Sequence, residues 1–183
     1  MTEGVIGSPM SYQVFQGIAL HLKLQDHDVL SIGGYNGLHA ASCLERGAKS
    51  VTVVDNGQWR LYNWSPPEQF PGVRYVEADV HDWHEPADIV EFNNVIYHVK
   101  DPWTTMEHIR KLTKYCLVLT TSFIPGEHKW WEIQPYDPKN GPRHVYWKPT
   151  LEGLYELLRC TGFEQWETVG TQGDHIVMRC KPT

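Results

Sequence analysis

The fold of this 183-residue chain is decided by the stretch VLSIGGYNGLHAASCLERG, residues 29–47. Apolar and small residues at 29–32 predict a short buried strand, and the glycines that follow end it. Residues 38–45 have a helical composition, and Gly47 provides a C-terminal cap. A strand, a glycine turn and a helix in this order predict the first unit of an α/β fold.

The remaining sequence continues the alternation of strands and helices. Further strands are predicted at 51–55, 73–77, 87–92, 115–120, 163–169 and 174–179, and further helices at 8–22, 58–64, 102–112 and 150–160. This order predicts a Rossmann-like, doubly wound sheet that is mostly parallel. The short connection at 170–173 makes the last two strands an antiparallel hairpin.

The composition is that of a globular protein, with 41% hydrophobic and 21% charged residues. Residues 1–183 are expected to form one domain, and their net charge of −6 disfavours a long nucleic acid as partner. No secretory signal and no membrane-spanning run are found, so we expect a cytoplasmic protein. The four cysteines are expected to be reduced and in or near the core, and the oligomeric state stays open.

Residues 122–148 form a polar, aromatic and proline-rich stretch between the fifth strand and the next helix. Its length and composition predict a substrate loop or lid rather than a linker. Its aromatic side chains could enclose a ligand or stack on a substrate. They are Trp130, Trp131, Tyr136, Tyr146 and Trp147.

The glycine turn is a candidate ligand site because ligands of open α/β sheets bind at the carboxyl ends of the strands. Gly33, Gly34 and Gly37 would let the backbone approach a ligand closely. The dinucleotide pattern G-x-G-x-x-G does not fit, since Tyr35 stands where a glycine is required. A plain strand-to-helix turn remains the alternative interpretation.

Asp55 ends the second predicted strand, about twenty residues after the glycine turn. A carboxylate at this position can accept hydrogen bonds from both hydroxyls of a ribose. The alternative is an acidic residue in a surface turn.

Three sequence segments together resemble a known family. The run VLSIGGYNG (29–37) is similar to the V-L-D-I-G-x-G-x-G motif of class I methyltransferases, with Ser31 in place of the acid and Tyr35 in place of the middle glycine. The run FNNVIYHVKDP (92–102) resembles the segment that follows the fourth strand in these enzymes. With the WKP run at 147–149, it is most similar to the tRNA wobble-uridine carboxymethyltransferases and their relatives.

This resemblance implies a seven-stranded methyltransferase fold that binds S-adenosylmethionine. Asp79 would accept a hydrogen bond from the adenine amino group, and Val80 would pack on the adenine ring. The other residues that the resemblance places at the cofactor are Gly33, Gly34, Tyr35, Gly37, Asp55 and Asn94. A simple role for Asp79 in capping the following turn stays open. The family's Gly-Gly turn before the fifth strand is replaced here by the run at 113–115.

His98 and Tyr97 are the candidate catalytic residues. His98 is the best candidate for a general base, because the ordinary pKa of histidine lies near neutrality. Tyr97 could orient the substrate or contact the methionyl end of the cofactor. The alternative for His98 is a buried structural histidine bonded to a backbone carbonyl.

The leading hypothesis is methylation of a small molecule or a nucleoside. The acidic charge and the short segment before the first strand favour a small acceptor over tRNA, and a carboxylated cofactor is not carried over from the resemblance. The alternative is a non-catalytic, cofactor-binding or partner subunit, which Ser31 and Tyr35 motivate. A dehydrogenase is disfavoured by the glycine pattern, and no metal is expected at His81 and His84.

Overall fold

The computed structural model describes residues 22–34, 37–58, 60, 70–126, 131–133 and 145–183. The predicted helix at 8–22 and most of the predicted short helix at 58–64 lie outside the described residues. No helix in these described ranges is long and apolar enough to cross a membrane.

The described residues build one large sheet, one small sheet and three helices. The strands are β1 (Asp28–Ile32), β2 (Ser50–Asp55), β3 (Val73–Glu77), β4 (Ala87–Asn93), β5 (Thr113–Ser122), β6 (Glu132–Ile133), β7 (Trp147–Lys148), β8 (Gln165–Gln172) and β9 (His175–Lys181). The helices are α1 (Leu38–Glu45), α2 (Pro102–Leu112) and α3 (Leu151–Cys160). Two single 3₁₀ turns lie at Val80–Asp82 and Ile96–His98.

The large sheet has seven strands in the order β3-β2-β1-β4-β5-β9-β8. Strands β1 to β5 are parallel, and β9 runs antiparallel between β5 and β8. The predicted mostly parallel sheet with an antiparallel C-terminal hairpin is therefore confirmed. The order of strands reverses at β1, whose neighbours are β2 and β4, which is where ligands bind in such sheets.

Two connections differ from the sequence prediction. Strand β8 extends through Gln172, so the hairpin turn consists of Gly173 and Asp174 instead of residues 170–173. Gly173 has a φ of 60°, which a two-residue hairpin turn with glycine at its first position requires.

Helix α2 leads directly into β5 at Thr113, whose hydroxyl donates to the Ile109 carbonyl at 2.8 Å. This bond satisfies a C-terminal carbonyl of the helix, which explains how the chain turns without a Gly-Gly pair.

The core fills both faces of the sheet. On one face Phe92 and Leu119 pack with Met106 of α2 and Leu154 of α3. On the other face Val29 and Val53 pack with Ala40 and Cys43 of α1. All four cysteines are free, as predicted, and Cys43 and Cys180 are buried. Cys160 is exposed, contrary to the prediction, because it is the last residue of α3 and does not belong to the buried positions of that helix.

The predicted loop at 122–148 contains regular structure in its described part. Ile124 forms a parallel bridge with Thr150, and β6 pairs antiparallel with β7. The bridge connects the beginning of this segment to Thr150, the N-cap of α3, and the short sheet pairs two parts of the segment with each other.

Candidate functional site

The carboxyl ends of β1 to β4 lie at one edge of the sheet and bring the predicted cofactor residues together. Gly33 follows β1, Asp55 ends β2, Asp79 stands two residues after β3, and Asn94 follows β4. Because neighbouring strands of a parallel sheet end at the same edge, these positions lie together at that edge. The structure therefore groups residues that lie far apart in the sequence.

The glycine turn begins with backbone that only glycine adopts easily. Gly33 has a φ of 67°, and its N–H donates to the Val54 carbonyl at 2.8 Å. A side chain on Gly33 would overlap Val95, so the turn is packed closely against the residues after β4.

The turn ends at Gly37, which precedes helix α1. Gly37 has a φ of 64°, its N–H donates to the Gly34 carbonyl at 2.7 Å, and a side chain here would overlap the Tyr75 hydroxyl. The backbone just before α1 therefore packs directly against the Tyr75 side chain, which only a glycine at this position permits. Tyr35, which the sequence also predicts at the cofactor, lies outside the described residues.

Asp55 presents a half-buried carboxylate at the end of β2. Burial raises the pKa of Asp55, and the negative charge of nearby Glu77 raises it further. The Gly57 N–H donates to Oδ1 at 2.9 Å, and this hydrogen bond lowers the pKa. Glu77 is itself paired with the Arg60 guanidinium through two hydrogen bonds. Within the described ranges no group donates to the second oxygen of Asp55, which leaves this oxygen available for a sugar hydroxyl.

Asp79 and Val80 differ in their surroundings. The Asp79 Oδ1 accepts from the His81 N–H at 2.9 Å, so this exposed residue caps the 3₁₀ turn at 80–82. That is the capping role left open by the sequence, and it uses only one of the two carboxylate oxygens. Val80 is 8% exposed and packs within the core cluster, close to the site edge.

Asn94 combines backbone strain with an unsatisfied polar atom. Its φ is 58°, and its N–H donates to the Thr120 carbonyl at 2.7 Å. Its side-chain Oδ1 is buried, and no described residue donates to it. Its neighbour Asn93 is different, because its Oδ1 accepts from the Thr120 hydroxyl at 2.9 Å. Strain and a buried acceptor at one residue point to a ligand that donates to it.

Tyr97 and His98 lie side by side in the 3₁₀ turn after β4. Their rings meet edge to face with centroids 4.3 Å apart. Burial, with a smaller contribution from the negative charge of Asp174, raises the pKa of Tyr97 to about 12. The phenol is therefore neutral at physiological pH and can donate a hydrogen bond.

The aromatic residues predicted to enclose a ligand divide into two groups. The Tyr146 N–H donates to the Tyr97 carbonyl at 2.8 Å, and the Trp147 Nε1 donates to the Lys100 carbonyl at 3.0 Å. Trp131 packs against Gly153 of α3. Tyr146 and Trp147 thus border the chain around the 3₁₀ turn at Ile96–His98, whereas Trp130 and Tyr136 lie outside the described residues.

Sequence reasoning missed two polar groups near this edge. At the β8–β9 hairpin, the Asp174 carboxylate pairs with Lys148 at 2.7 Å and with the His175 Nδ1 at 2.9 Å. In β4, Glu91 is a buried carboxyl beside Ser31 of β1. An acidic residue within the apolar run at 87–92 was the available signal for Glu91. In the described ranges, no group of three or more His, Cys, Asp or Glu residues is arranged to hold a metal ion.

The family comparison gives a match over most of the chain. A family model described as "Methyltransferase domain" matches residues 8–168. A tRNA U34 carboxymethyltransferase of Pseudomonas putida (strain W619) is 31% identical over 164 residues, which cover 80% of this chain and 48% of the relative. The tRNA U34 carboxymethyltransferase of Nautilia profundicola is 25% identical, and the match covers 82% of this chain and 52% of that relative. The chain spans about half the length of these curated relatives.

Solved structures share the fold at low sequence identity. The Burkholderia thailandensis 1,6-didemethyltoxoflavin-N1-methyltransferase, solved with 1,6-didemethyltoxoflavin and S-adenosylhomocysteine, has a TM-score of 0.73 and 21% identity. That match covers 97% of this chain and 80% of the other. An S-adenosylmethionine dependent methyltransferase from Mesorhizobium loti has a TM-score of 0.67 and 16% identity, and the match covers 95% of this chain and 98% of the other.

The two adjacent asparagines should respond to substitution in opposite ways. Replacing Asn94 by glycine should leave the free energy of unfolding unchanged or raise it by up to about 1 kcal/mol, because it removes strain and an unpaired oxygen. Replacing Asn93 by alanine should lower it by about 1–2 kcal/mol, because the buried Thr120 hydroxyl loses its acceptor. Urea denaturation measures both, and a larger loss for N94G than for N93A would contradict this assignment.

Proposed function

The chain belongs to the methyltransferase domain family, and from this premise we propose that it is an S-adenosylmethionine-dependent methyltransferase. The observation that supports the proposal best is the shared edge of β1, β2 and β4. A glycine turn, a half-buried carboxylate and a buried amide oxygen without a described donor lie there together. The turn offers backbone that a ligand can approach, the carboxylate can accept hydrogen bonds from a ribose, and the amide oxygen can accept one from an amino group. S-adenosylmethionine contains both a ribose and an amino group.

Each predicted cofactor residue has a proposed part in holding this ligand. The backbone at Gly33, Gly34 and Gly37 allows close approach, and Tyr35 stays a prediction within the same turn. Asp55 would accept from the ribose hydroxyls. Asp79 would accept from the adenine amino group with the oxygen that does not cap the turn, and Val80 would border the ring. Asn94 would accept from the amino group at the methionyl end.

The cofactor supplies a methyl group on a sulfonium, which leaves the protein to position and deprotonate the acceptor. We propose His98 as the general base and Tyr97 as the residue that orients the acceptor through its neutral phenol. The segment at 122–148 is proposed as the lid, with Tyr146 and Trp147 beside the catalytic turn.

The acceptor is proposed to be a small molecule or a nucleoside. The curated relatives are named for U34 of tRNA, and the Burkholderia structure holds 1,6-didemethyltoxoflavin. The net charge of −6 favours these classes over a long nucleic acid. We further propose that residues 1–183 form one methyltransferase domain that works in the cytoplasm, where free thiols such as its four cysteines are usual.

A second candidate is a non-catalytic domain of the same fold that binds the cofactor or acts as the partner subunit of another protein. Ser31 favours this candidate, because it stands where the motif of the family has an acid. The candidate differs from the first only in whether a methyl group is transferred.

Replacing Asp55 by alanine should weaken S-adenosylhomocysteine binding by about 10- to 100-fold, because hydrogen bonds to a charged acceptor contribute about 1.5–3 kcal/mol. Isothermal titration calorimetry of the wild type and the variant measures the effect. The matched control is Asp82→Asn, an exposed carboxylate on the same edge, which should bind as the wild type does. Unchanged affinity in D55A would contradict the proposed ribose contact.

Replacing His98 by alanine should lower methyl transfer by at least about a hundredfold, because a positioned general base contributes at least that much. Cofactor affinity should change little. Transfer of a labelled methyl group to a pool of metabolites and nucleosides measures turnover, and His84→Ala, an exposed histidine, is the control. Full activity in H98A would remove His98 as the base, whereas cofactor binding without transfer by the wild type would favour the non-catalytic candidate.

A further inference from the structure

Glu91 is a carboxyl group in the middle of the protein. It lies in β4, is 1% exposed, and has Ser31 of β1 and Val118 of β5 as its register partners. Acidic side chains are almost never buried so completely unless other groups hold them. The proposed cofactor and catalytic residues do not include Glu91, so its burial requires an explanation of its own.

Two side chains donate hydrogen bonds to the Glu91 carboxyl. The Cys43 Sγ of α1 lies 3.3 Å from Oε1, and the Ser31 hydroxyl of β1 is the second donor. The other oxygen, Oε2, is buried and has no hydrogen-bond partner in the described part of the chain. Both donors favour the ionised carboxylate over the protonated acid.

Ser31 connects this carboxyl to the glycine turn. Its Oγ lies 2.6 Å from the point that a Cβ on Gly34 would occupy, so the backbone of the turn packs directly on the hydroxyl. A single side chain therefore separates Glu91 from the turn at 33–37. The motif that this turn resembles has an acid at position 31, and here the acid stands in register on the neighbouring strand.

We propose that Glu91 is a positioning residue of the cofactor site, which supplies from β4 the buried carboxylate that position 31 lacks and holds Ser31 against the glycine turn. The inference rests on the proposed function, because it assumes that the turn binds the cofactor. The ionised carboxylate orients the Ser31 hydroxyl and keeps the turn in its binding geometry. When the carboxyl is protonated, it accepts these hydrogen bonds less strongly and the turn is held less well.

The charge of Glu91 should change near neutral pH. Burial raises its pKa to about 7, although the hydrogen bonds from Cys43 and Ser31 oppose the rise. Among the described residues, the neighbours of the Glu91 carboxyl are Ser31 on β1, Val118 on β5 and Cys43 on α1. Burial raises the pKa of the Cys43 thiol, so this neighbour stays neutral. Burial lowers the pKa of His39, also on α1, to about 4, so this histidine is neutral as well.

The test is the pH dependence of S-adenosylhomocysteine binding, measured by isothermal titration calorimetry at pH 6 and pH 8. For an acid with a pKa of about 7, the ionised fraction rises about tenfold over this range, and the apparent affinity of the wild type should rise by the same factor. Glu91→Gln should bind weakly at both pH values, without the rise. Glu164→Gln, an exposed carboxylate in the chain before β8, is the matched control and should follow the wild type.

A charge swap tests the same inference by recovery of function. Ser31→Asp combined with Glu91→Gln returns the carboxylate to position 31 and should restore most of the wild-type affinity at pH 8. Ser31→Asp alone places two carboxylates side by side in register and should lower the melting temperature. If E91Q does not fold, the wild-type pH profile and the swapped variant decide the question.

The outcomes separate this inference from the proposed function. Wild-type binding that does not change between pH 6 and pH 8 would overturn the role of Glu91 and leave cofactor binding intact. A tenfold rise in affinity that persists in E91Q would also overturn the role of Glu91. So would a folded swap variant that binds S-adenosylhomocysteine no better than E91Q does. A wild type that binds no S-adenosylhomocysteine at either pH would overturn the proposed function and this inference with it.

Discussion

The hydrogen bond from the Gly33 N–H to the Val54 carbonyl, 2.8 Å long, determines where the chain leaves the sheet. It closes the last pair of the parallel β1–β2 register, Ile32 with Val54, and Gly33 there has a left-handed conformation that a side chain would strain. Because the chain turns at that level, the glycine turn lies beside Asp55 on one neighbouring strand and the Asn94 end of the other. The proposed site depends on this single change of direction.

Several groups around this turn lower the free energy of unfolding. Asp55 and Glu91 are carboxyls whose pKa values are raised by burial, and Asn94 has a positive φ and a buried oxygen without a described donor. Such features persist when the surrounding core is stable enough to hold them, and they concentrate where a ligand compensates for them. In the described core no comparable strain accompanies the apolar residues of β4 and β5 next to them, such as Phe92 and Leu119, which are fully buried.

Local pattern predicted most of the sheet, because buried parallel strands appear as apolar runs separated by helical segments. The local pattern did not predict features that depend on a contact with a residue far away in the sequence or on a single hydrogen bond. Thr113 replaces a glycine turn through one hydrogen bond to Ile109, which composition does not indicate. Glu91 looks like one charged position in a strand until its partner Cys43, 48 residues away, is known. The residues named for the cofactor that the structure describes do share one edge, but their contacts with the cofactor stay predictions.

The central claim is that an adenosyl sulfonium or thioether binds over the carboxyl ends of β1 and β2. Thermal unfolding with S-adenosylmethionine, S-adenosylhomocysteine, NAD and NADP, each at equal concentration, tests it most directly. A ligand present at a hundred times its dissociation constant stabilises the folded state by about 2.7 kcal/mol. We predict a raised melting temperature with the two adenosyl sulfur compounds and none with the dinucleotides. Stabilisation by NAD or NADP alone, or by none of the four, would contradict the account.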